Sequence, residues 1–159
     1  MEKVVIGYRD FGGVVDITDP CYDKDTWCRI NGVEVVPGRY ECSIQISDEG
    51  VWGKRVAVIG IYLTDCSRER GTLGKIGEIG VDAGLAGFFE DKPDYSGSEW
   101  SRFCDLIDDG NKAWIFSEGF FSESGWGDGE YNVYALKDKS GKAIAIEIYF
   151  IEEEDGENE

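Results

Sequence analysis

Apolar and polar residues alternate through much of this chain, which is the pattern of β-strands with one buried face. The alternation is clearest in the segment 40–46, where every second side chain should share one face of a strand: Tyr40, Cys42, Ile44 and Ile46. The segment 55–63 is apolar on both faces, and it is therefore predicted to lie at the centre of a sheet.

Turn residues between such segments predict two hairpins. Segments 4–8 and 14–18 flank an Asp-Phe-Gly-Gly turn, and segments 131–136 and 142–151 flank a Lys-Asp-Lys-Ser-Gly turn. We therefore expect each pair of segments to form two neighbouring antiparallel strands. Alternate side chains of the last segment are isoleucine or phenylalanine, so this strand should form one wall of the core.

One segment has helical periodicity instead. Its apolar residues recur at the i, i+3, i+4, i+7 spacing of a buried stripe, namely Trp100, Phe103, Cys104 and Ile107. Ser96 and Glu99 match a capping box, in which Ser96 is the N-cap, and Gly110 can end the helix. The sequence thus predicts a single amphipathic helix near 97–109.

No linker or internal repeat divides the chain, and 159 residues are enough to bury one core. The predicted fold is mostly β, with antiparallel sheets arranged as a β-sandwich or a barrel-like structure, plus the one helix. Residues 1–151 are predicted to form a single β-rich domain. Residues 152–159 contain six acids and no apolar side chain, so we expect a flexible acidic tail that is dispensable for folding.

Composition narrows the chemistry that is open to this protein. The chain has no histidine, and its five cysteines include no C-x-x-C pair, which fits neither a disulfide framework nor a usual zinc site. Reduced thiols, the lack of an apolar run of about 20 residues and a start that leads straight into a strand predict a soluble, cytoplasmic protein. Without histidine, chemistry must rest on carboxylates, Lys, Tyr, Cys or a metal held by oxygen.

The chain is strongly acidic, with 33 Asp and Glu residues against 16 Lys and Arg and a formal net charge of −17. Such a field repels phosphate backbones and anionic membranes, and the scattered bases form no evident basic patch. We therefore expect no direct binding of nucleic acid or membrane. A basic protein surface or a small molecule is the predicted partner, and the oligomeric state is left open.

Three turns place an acid beside an apolar strand. They are Asp-Pro-Cys-Tyr at 19–22, Val-Asp-Ala-Gly at 81–84 and Gly-Asp-Gly-Glu-Tyr at 127–131. If the fold brings these turns together, their carboxylates would form a cluster. With neighbouring aromatic and acidic residues, the predicted ligand-binding or partner-binding residues are Asp19, Tyr22, Asp82, Asp91, Trp126, Asp128 and Tyr131.

Each of these residues also has a plainer interpretation. Asp19 can simply end a strand by turn chemistry while Tyr22 and Trp27 cover the core, and Asp82 can lie in a tight turn between two strands. Trp126 can fold back over a sheet edge instead of being exposed as an anchor. Asp91 and the preceding Glu90 are two acids that follow a pair of bulky phenylalanines.

The same turns resemble a sparsely characterised family of small bacterial and phage proteins of unknown function. The resemblance lies in the early Asp-Pro turn, the Val-Asp-Ala-Gly phrase followed by Phe and Asp, and the Gly-Asp-Gly-x-Tyr phrase with the strand after it. It implies a single domain and sites at the three Asp turns. It is also compatible with a role in defence or counter-defence.

The preferred functional hypothesis is a small acidic binding protein that captures a basic surface or a small ligand through its Asp-lined turns. One version is a phage inhibitor whose negative surface imitates nucleic acid. A metal-dependent hydrolase is the alternative, because Mg²⁺, Mn²⁺ or Ca²⁺ can be held by carboxylates alone. A second alternative is a structural or assembly protein. Neither a cofactor nor a metal site is predicted for the binding function, and no catalytic residue is assigned.

Overall fold

The computed structural model describes residues 1–65 and 73–152, which form eleven β-strands and one α-helix. The first six strands are β1 (Glu2–Phe11), β2 (Val14–Thr18), β3 (Ile30–Glu34), β4 (Gly38–Asp48), β5 (Lys54–Leu63) and β6 (Gly74–Val81). The remaining strands are β7 (Leu85–Phe89), β8 (Ala113–Phe116), β9 (Gly119–Glu123), β10 (Gly129–Lys137) and β11 (Ala143–Tyr149). The helix α1 (Ser98–Ile107) lies between β7 and β8, and a short 3-10 turn at Gly50–Trp52 joins β4 to β5.

The strands form two antiparallel sheets. One sheet has six strands in the order β1-β4-β5-β11-β10-β6, and the other has five in the order β3-β2-β7-β9-β8. Their facing sides share one continuous hydrophobic core, so the architecture is a β-sandwich. The prediction of a mostly β fold with one helix is confirmed, and of its two variants the sandwich is correct, since the described strands do not close into a barrel.

The inner faces of β4 and β5 supply much of the core. As predicted, the alternating side chains of β4 all point inward, and Tyr40 and Cys42 are fully buried. Strand β5 lies between β4 and β11 and is buried from Val56 to Ile61, which confirms its central position. The ring of Phe11 on β1 meets the ring of Tyr40 edge-on at 5.5 Å between centroids, which joins the first strand to this core.

Helix α1 covers the outer face of the five-stranded sheet and forms a second hydrophobic cluster there. Phe103 is the buried contact residue of the helix, beside the partly buried Leu106 and Ile107, and its ring lies 5.3 Å from the ring of Phe121 on β9. The predicted stripe is therefore buried only in part. Cys104 and Ile107 are half-buried, and Trp100 remains 44% exposed.

The predicted capping box is wrong. The N-cap is Gly97, with φ of 54°, and no side chain caps the helix. Backbone carbonyls support the first turn instead, because the carbonyl of Ser96 accepts from Glu99 N–H at 3.1 Å and that of Gly97 accepts from Ser101 N–H at 3.2 Å. Ser96 is exposed, so water can hydrogen-bond to its hydroxyl in place of the N–H groups of the first helical turn.

The first predicted hairpin is also wrong, whereas the last is confirmed by the β10–β11 ladder. Strand β1 pairs with β4, while β2 pairs with β3 and β7 in the other sheet. The link at Gly12 and Gly13 carries the chain from one sheet to the other. Gly13 has φ of 141°, and its carbonyl accepts from Val35 N–H at 2.9 Å, so this link is a corner and not a hairpin turn.

Of the predicted tail, residues 153–159 lie outside the described residues, as does Cys66. Glu152 is described, and its carboxylate accepts from Tyr134 Oη at 2.8 Å and from Asn132 Nδ2 at 3.1 Å. The four described cysteines are free thiols. In the described ranges, no helix has the length and apolar character needed to cross a membrane.

We expect Phe103→Ala to lower the free energy of unfolding by about 3 to 5 kcal/mol, because it removes the ring that fixes the helix to the sheet. The matched control is Trp100→Ala, which removes an exposed aromatic ring from the same helix and should cost much less. Urea unfolding of both variants measures the difference. Equal losses would contradict the assignment of Phe103 as the contact residue of the helix.

Candidate functional site

The three Asp-bearing turns meet at one end of the sandwich. Oδ2 of Asp19 accepts hydrogen bonds from the backbone N–H groups of Asp82, at 2.9 Å, and Ala83, at 2.7 Å. The carbonyl of Gly84 accepts from Ser124 N–H at 3.1 Å, which joins the second turn to the loop that carries the third. These backbone links bring the three turns together, as the sequence led us to expect.

The strand ladder brings the second and third acids side by side. Gly129 on β10 is paired with Val81 on β6 at the end of the ladder. Asp128 and Asp82 are the next residues beyond that pair, and both are exposed. We call the exposed residues Asp82, Trp126 and Asp128 the turn surface.

Asp19 lies beneath the turn surface and not on it. Its side chain is fully buried, and in addition to the two bonds at Oδ2 its Oδ1 accepts from Cys21 N–H at 2.8 Å. A buried carboxylate is stable only when hydrogen-bond donors replace its water, and three backbone N–H groups do so here. Asp19 therefore positions the turns from within, and a partner bound at the surface does not touch it.

The segment after Asp19 runs along β6. Gly80 N–H donates to the carbonyl of Cys28 at 2.9 Å, and a Cβ on Gly80 would lie 3.1 Å from Cys28 Sγ. Tyr22 is half-buried, and burial, a hydrogen bond with Cys28 and the nearby acids all raise the pKa of its hydroxyl. Trp27 does not cover the core as the plainer interpretation required, since it is 87% exposed.

The glycine-rich loop 124–128 is held in place by Tyr131. The hydroxyl of Tyr131 lies 2.6 Å from the carbonyl oxygen of Gly127 and 3.1 Å from that of Ser124, within donating distance of both. Burial raises the pKa of this hydroxyl, and the charge of Asp128 adds to the effect, so the donor keeps its proton at neutral pH. Gly125 has φ of 62°, and a Cβ there would lie 3.0 Å from Phe150 Cβ, so a larger residue would be strained and tightly packed at this position.

Trp126 projects from this loop with 48% of its surface exposed. The guanidinium of Arg55 lies 4.9 Å from the centre of the Trp126 ring, and its Nη1 donates to the carbonyl of Gly125 at 3.4 Å. Trp126 is thus neither free in solvent nor folded into the sheet edge. No pattern in the chain indicated Arg55 as a site residue, because a base at the start of a strand is ordinary.

Asp91 does not join the turn surface. It follows the far end of β7, whereas Asp82 precedes the near end, so the five-residue strand separates them by roughly 15 Å. Asp91 is exposed, has φ of 55°, and lines a small groove of about 290 Å³ beside Asp16 and Lys24. The neighbouring Glu90 is partly buried and forms an ion pair with Arg9 at 3.1 Å.

The chemistry available at this end of the molecule is that of carboxylates and aromatic rings. Burial and the charge of Asp19 raise the pKa of the Cys21 thiol to about 12, so it is a poor nucleophile at neutral pH. No group of three or more Asp, Glu or Cys side chains among residues 1–65 and 73–152 is arranged to hold a metal ion. The exposed carboxylates can accept hydrogen bonds from a cation, and the Trp126 ring can pack against it.

We expect Asp19→Asn to lower the free energy of unfolding by about 2 to 4 kcal/mol, because an amide offers one acceptor oxygen where three N–H groups need two. Asp128→Asn is the matched control, because it makes the same change at an exposed position and should shift stability by less than about 0.5 kcal/mol. Urea unfolding checks both. Two equally mild losses would show that the buried carboxylate does not hold the turns.

No family model, curated protein or solved structure matches the chain. The resemblance of the Asp-bearing turns to small bacterial and phage proteins therefore stays a hypothesis. What the structure itself establishes is the convergence of those turns at one end of the sandwich.

Proposed function

We propose that this protein binds a cationic segment of a partner protein through the turn surface. The observation that carries the proposal is the convergence of the three turns, which presents two exposed acids and a half-exposed tryptophan at one end of the fold. Carboxylates attract Lys and Arg side chains, and a large aromatic ring supplies the apolar contact that ion pairs in water lack.

The net charge of −17 acts before contact is made. Complementary charge mainly raises the association rate of a protein pair, whereas exposed ion pairs add little affinity each. Affinity must therefore come from the anchor. In this surface the anchor is Trp126; Arg55 already lies over its ring, and the exposed part of the ring can pack against the aliphatic stem of a basic residue.

The turns are also pre-organised for binding. Asp19, Tyr131 and the bond between Ser124 N–H and Gly84 fix the backbone on both sides of the turn surface. A surface that is ordered before binding pays less conformational entropy when it binds. This supports a recognition surface more strongly than exposure of acids alone would.

We expect a fluorescently labelled peptide of alternating Lys and Ser to bind the protein with an affinity that depends on the turn surface. Asp82→Asn combined with Asp128→Asn should weaken binding at least about tenfold, because both carboxylates of the turn surface are lost. Fluorescence anisotropy measures the affinity. Association should also slow markedly between about 50 and 200 mM salt, since the Debye length shrinks over that range.

The control removes the same charge elsewhere. Asp91→Asn combined with Asp105→Asn changes the net charge equally at exposed positions away from the turn surface. In the same way, Trp27→Ala is matched to Trp126→Ala, since both remove an exposed indole. Equal loss in the two Asp double variants would mean that the peptide senses only overall charge, equal loss in the two Trp variants would mean that Trp126 is not the anchor, and either result would contradict the proposal.

We expect Ca²⁺, Mg²⁺ and Mn²⁺ to leave the melting temperature nearly unchanged, because binding to the folded state alone would raise it. Thermal unfolding with each ion and with a chelator tests this. A shift that disappears in Asp82→Asn would indicate that the carboxylates hold a metal ion, and it would favour the hydrolase over the binding protein.

A further inference from the structure

The first strand leaves a long sheet edge uncovered. Strand β1 has ten residues, lies at the end of the six-stranded sheet and pairs only with β4. In the part of the chain that the structure describes, the backbone of β1 forms no backbone–backbone hydrogen bond outside its ladder with β4, although the Arg9 side chain donates to the carbonyls of Phe116 and Ser117. Val5 and Tyr8 on β1 are each 47% exposed, so the edge is apolar as well as open.

The other sheet edges are shorter or occupied. Strand β3 has five residues and β8 has four. Strand β6, at the opposite end of the six-stranded sheet, is bonded to the Cys28 segment through Gly80. Among the described strands, β1 is therefore the edge with the most unpaired backbone.

A bulge arranges the outward side chains of β1. The register shifts between Val5 and Gly7, so that Ile6 is an extra residue opposite β4. Because of this shift, four side chains of β1 point outward together, two before the bulge and two after it. They are paired with outward residues of β4, and they are Lys3, Val5, Tyr8 and Asp10. Without the bulge the last two would face the core.

This outward row is complementary to itself. Two copies of β1 that run antiparallel about a two-fold axis next to Ile6 place Lys3 opposite Asp10 and Val5 opposite Tyr8, each pair occurring twice. Opposite charges and apolar pairs are the side-chain pairs that stabilise neighbouring strands. The strand is also neutral, with two acids and two bases, in a chain whose net charge is −17.

We propose that the occupant of this edge is a second copy of the chain, which pairs β1 with β1 in that register and joins the two six-stranded sheets into one. The β1–β1 ladder gives hydrogen-bond partners to backbone N–H and C=O groups that otherwise bond to water, and the four side-chain pairs specify the register. The dimer does not depend on the turn surface, and it leaves the proposed binding function unchanged in each copy.

Sedimentation velocity from about 1 to about 100 µM tests the proposal, with a reversible dimer as the expected result. Val5→Lys should raise the dissociation constant at least about tenfold, because it places a charge in the apolar pair. Val51→Lys is the matched control, since Val51 is 96% exposed and belongs to the turn between β4 and β5 and not to the β1 edge, and it should leave the dimer intact.

Exchanging the charges of Lys3 and Asp10 tests the proposed register. Lys3→Asp and Asp10→Lys should each weaken the dimer by like-charge pairing, and the double variant should restore it. Lys3 also forms an ion pair with Glu41 of its own copy, at 2.7 Å, and both Lys3→Asp and the double variant lose this ion pair. Recovery of the dimer in the double variant therefore cannot come from restoring that contact within one copy. A monomer at every concentration, a dimer indifferent to Val5→Lys, or a double variant weaker than both single ones would overturn the proposal.

Discussion

The burial of one carboxylate, that of Asp19, ties the two sheets together at the end of the sandwich that carries the turn surface. Asp19 follows β2 of the five-stranded sheet, and its Oδ2 binds the backbone that follows β6 of the six-stranded sheet. A carboxylate enters a protein interior at a large desolvation cost unless fixed donors replace its water. The Asp19 carboxylate is therefore stable here only when the N–H groups of the 81–84 turn surround it, and this requirement sets where Asp82 and its neighbours lie.

At the same end of the molecule, some residues hold the backbone of the turns in place and others make up the exposed surface. Asp19 and Tyr131 point inward and bind backbone atoms, whereas Asp82, Trp126 and Asp128 remain exposed. Buried polar groups with fixed partners give precision to exposed groups that would otherwise move. Acids that look alike in the sequence thus have different roles, because one is surrounded by N–H donors and the others by water.

Polar burial recurs on the outer face of the six-stranded sheet. Glu147 on β11 is 6% exposed and accepts hydrogen bonds from Tyr62, at 2.5 Å, and Tyr149, at 2.9 Å. Gly60 leaves the space over which the Tyr62 ring lies, since a Cβ there would meet that ring. One sheet is therefore covered by a helix, and the other covers part of its outer face with its own tyrosines.

The sequence by itself determined the elements whose signal is local. Alternation with period two placed β4 and β11 correctly, an apolar run on both faces placed β5, and the i, i+3, i+4 spacing located the helix, because these patterns follow from the geometry of a single segment. It also singled out the three acid-bearing turns that the fold brings together, since Asp and Gly at strand ends are visible in the chain itself.

Only the tertiary structure decided which strands pair and which acids are buried. Strand β1 pairs with β4 and not with β2, which follows it in the chain, although β4 begins 27 residues after β1 ends. Arg55 reaches Trp126 from a distant strand, and Asp91 falls at the other end of β7 from Asp82. These outcomes depend on contacts between residues far apart in sequence, for which a single chain carries no periodic signal. The physical reason is that desolvation and hydrogen-bond partners are properties of the folded surroundings, not of the residue.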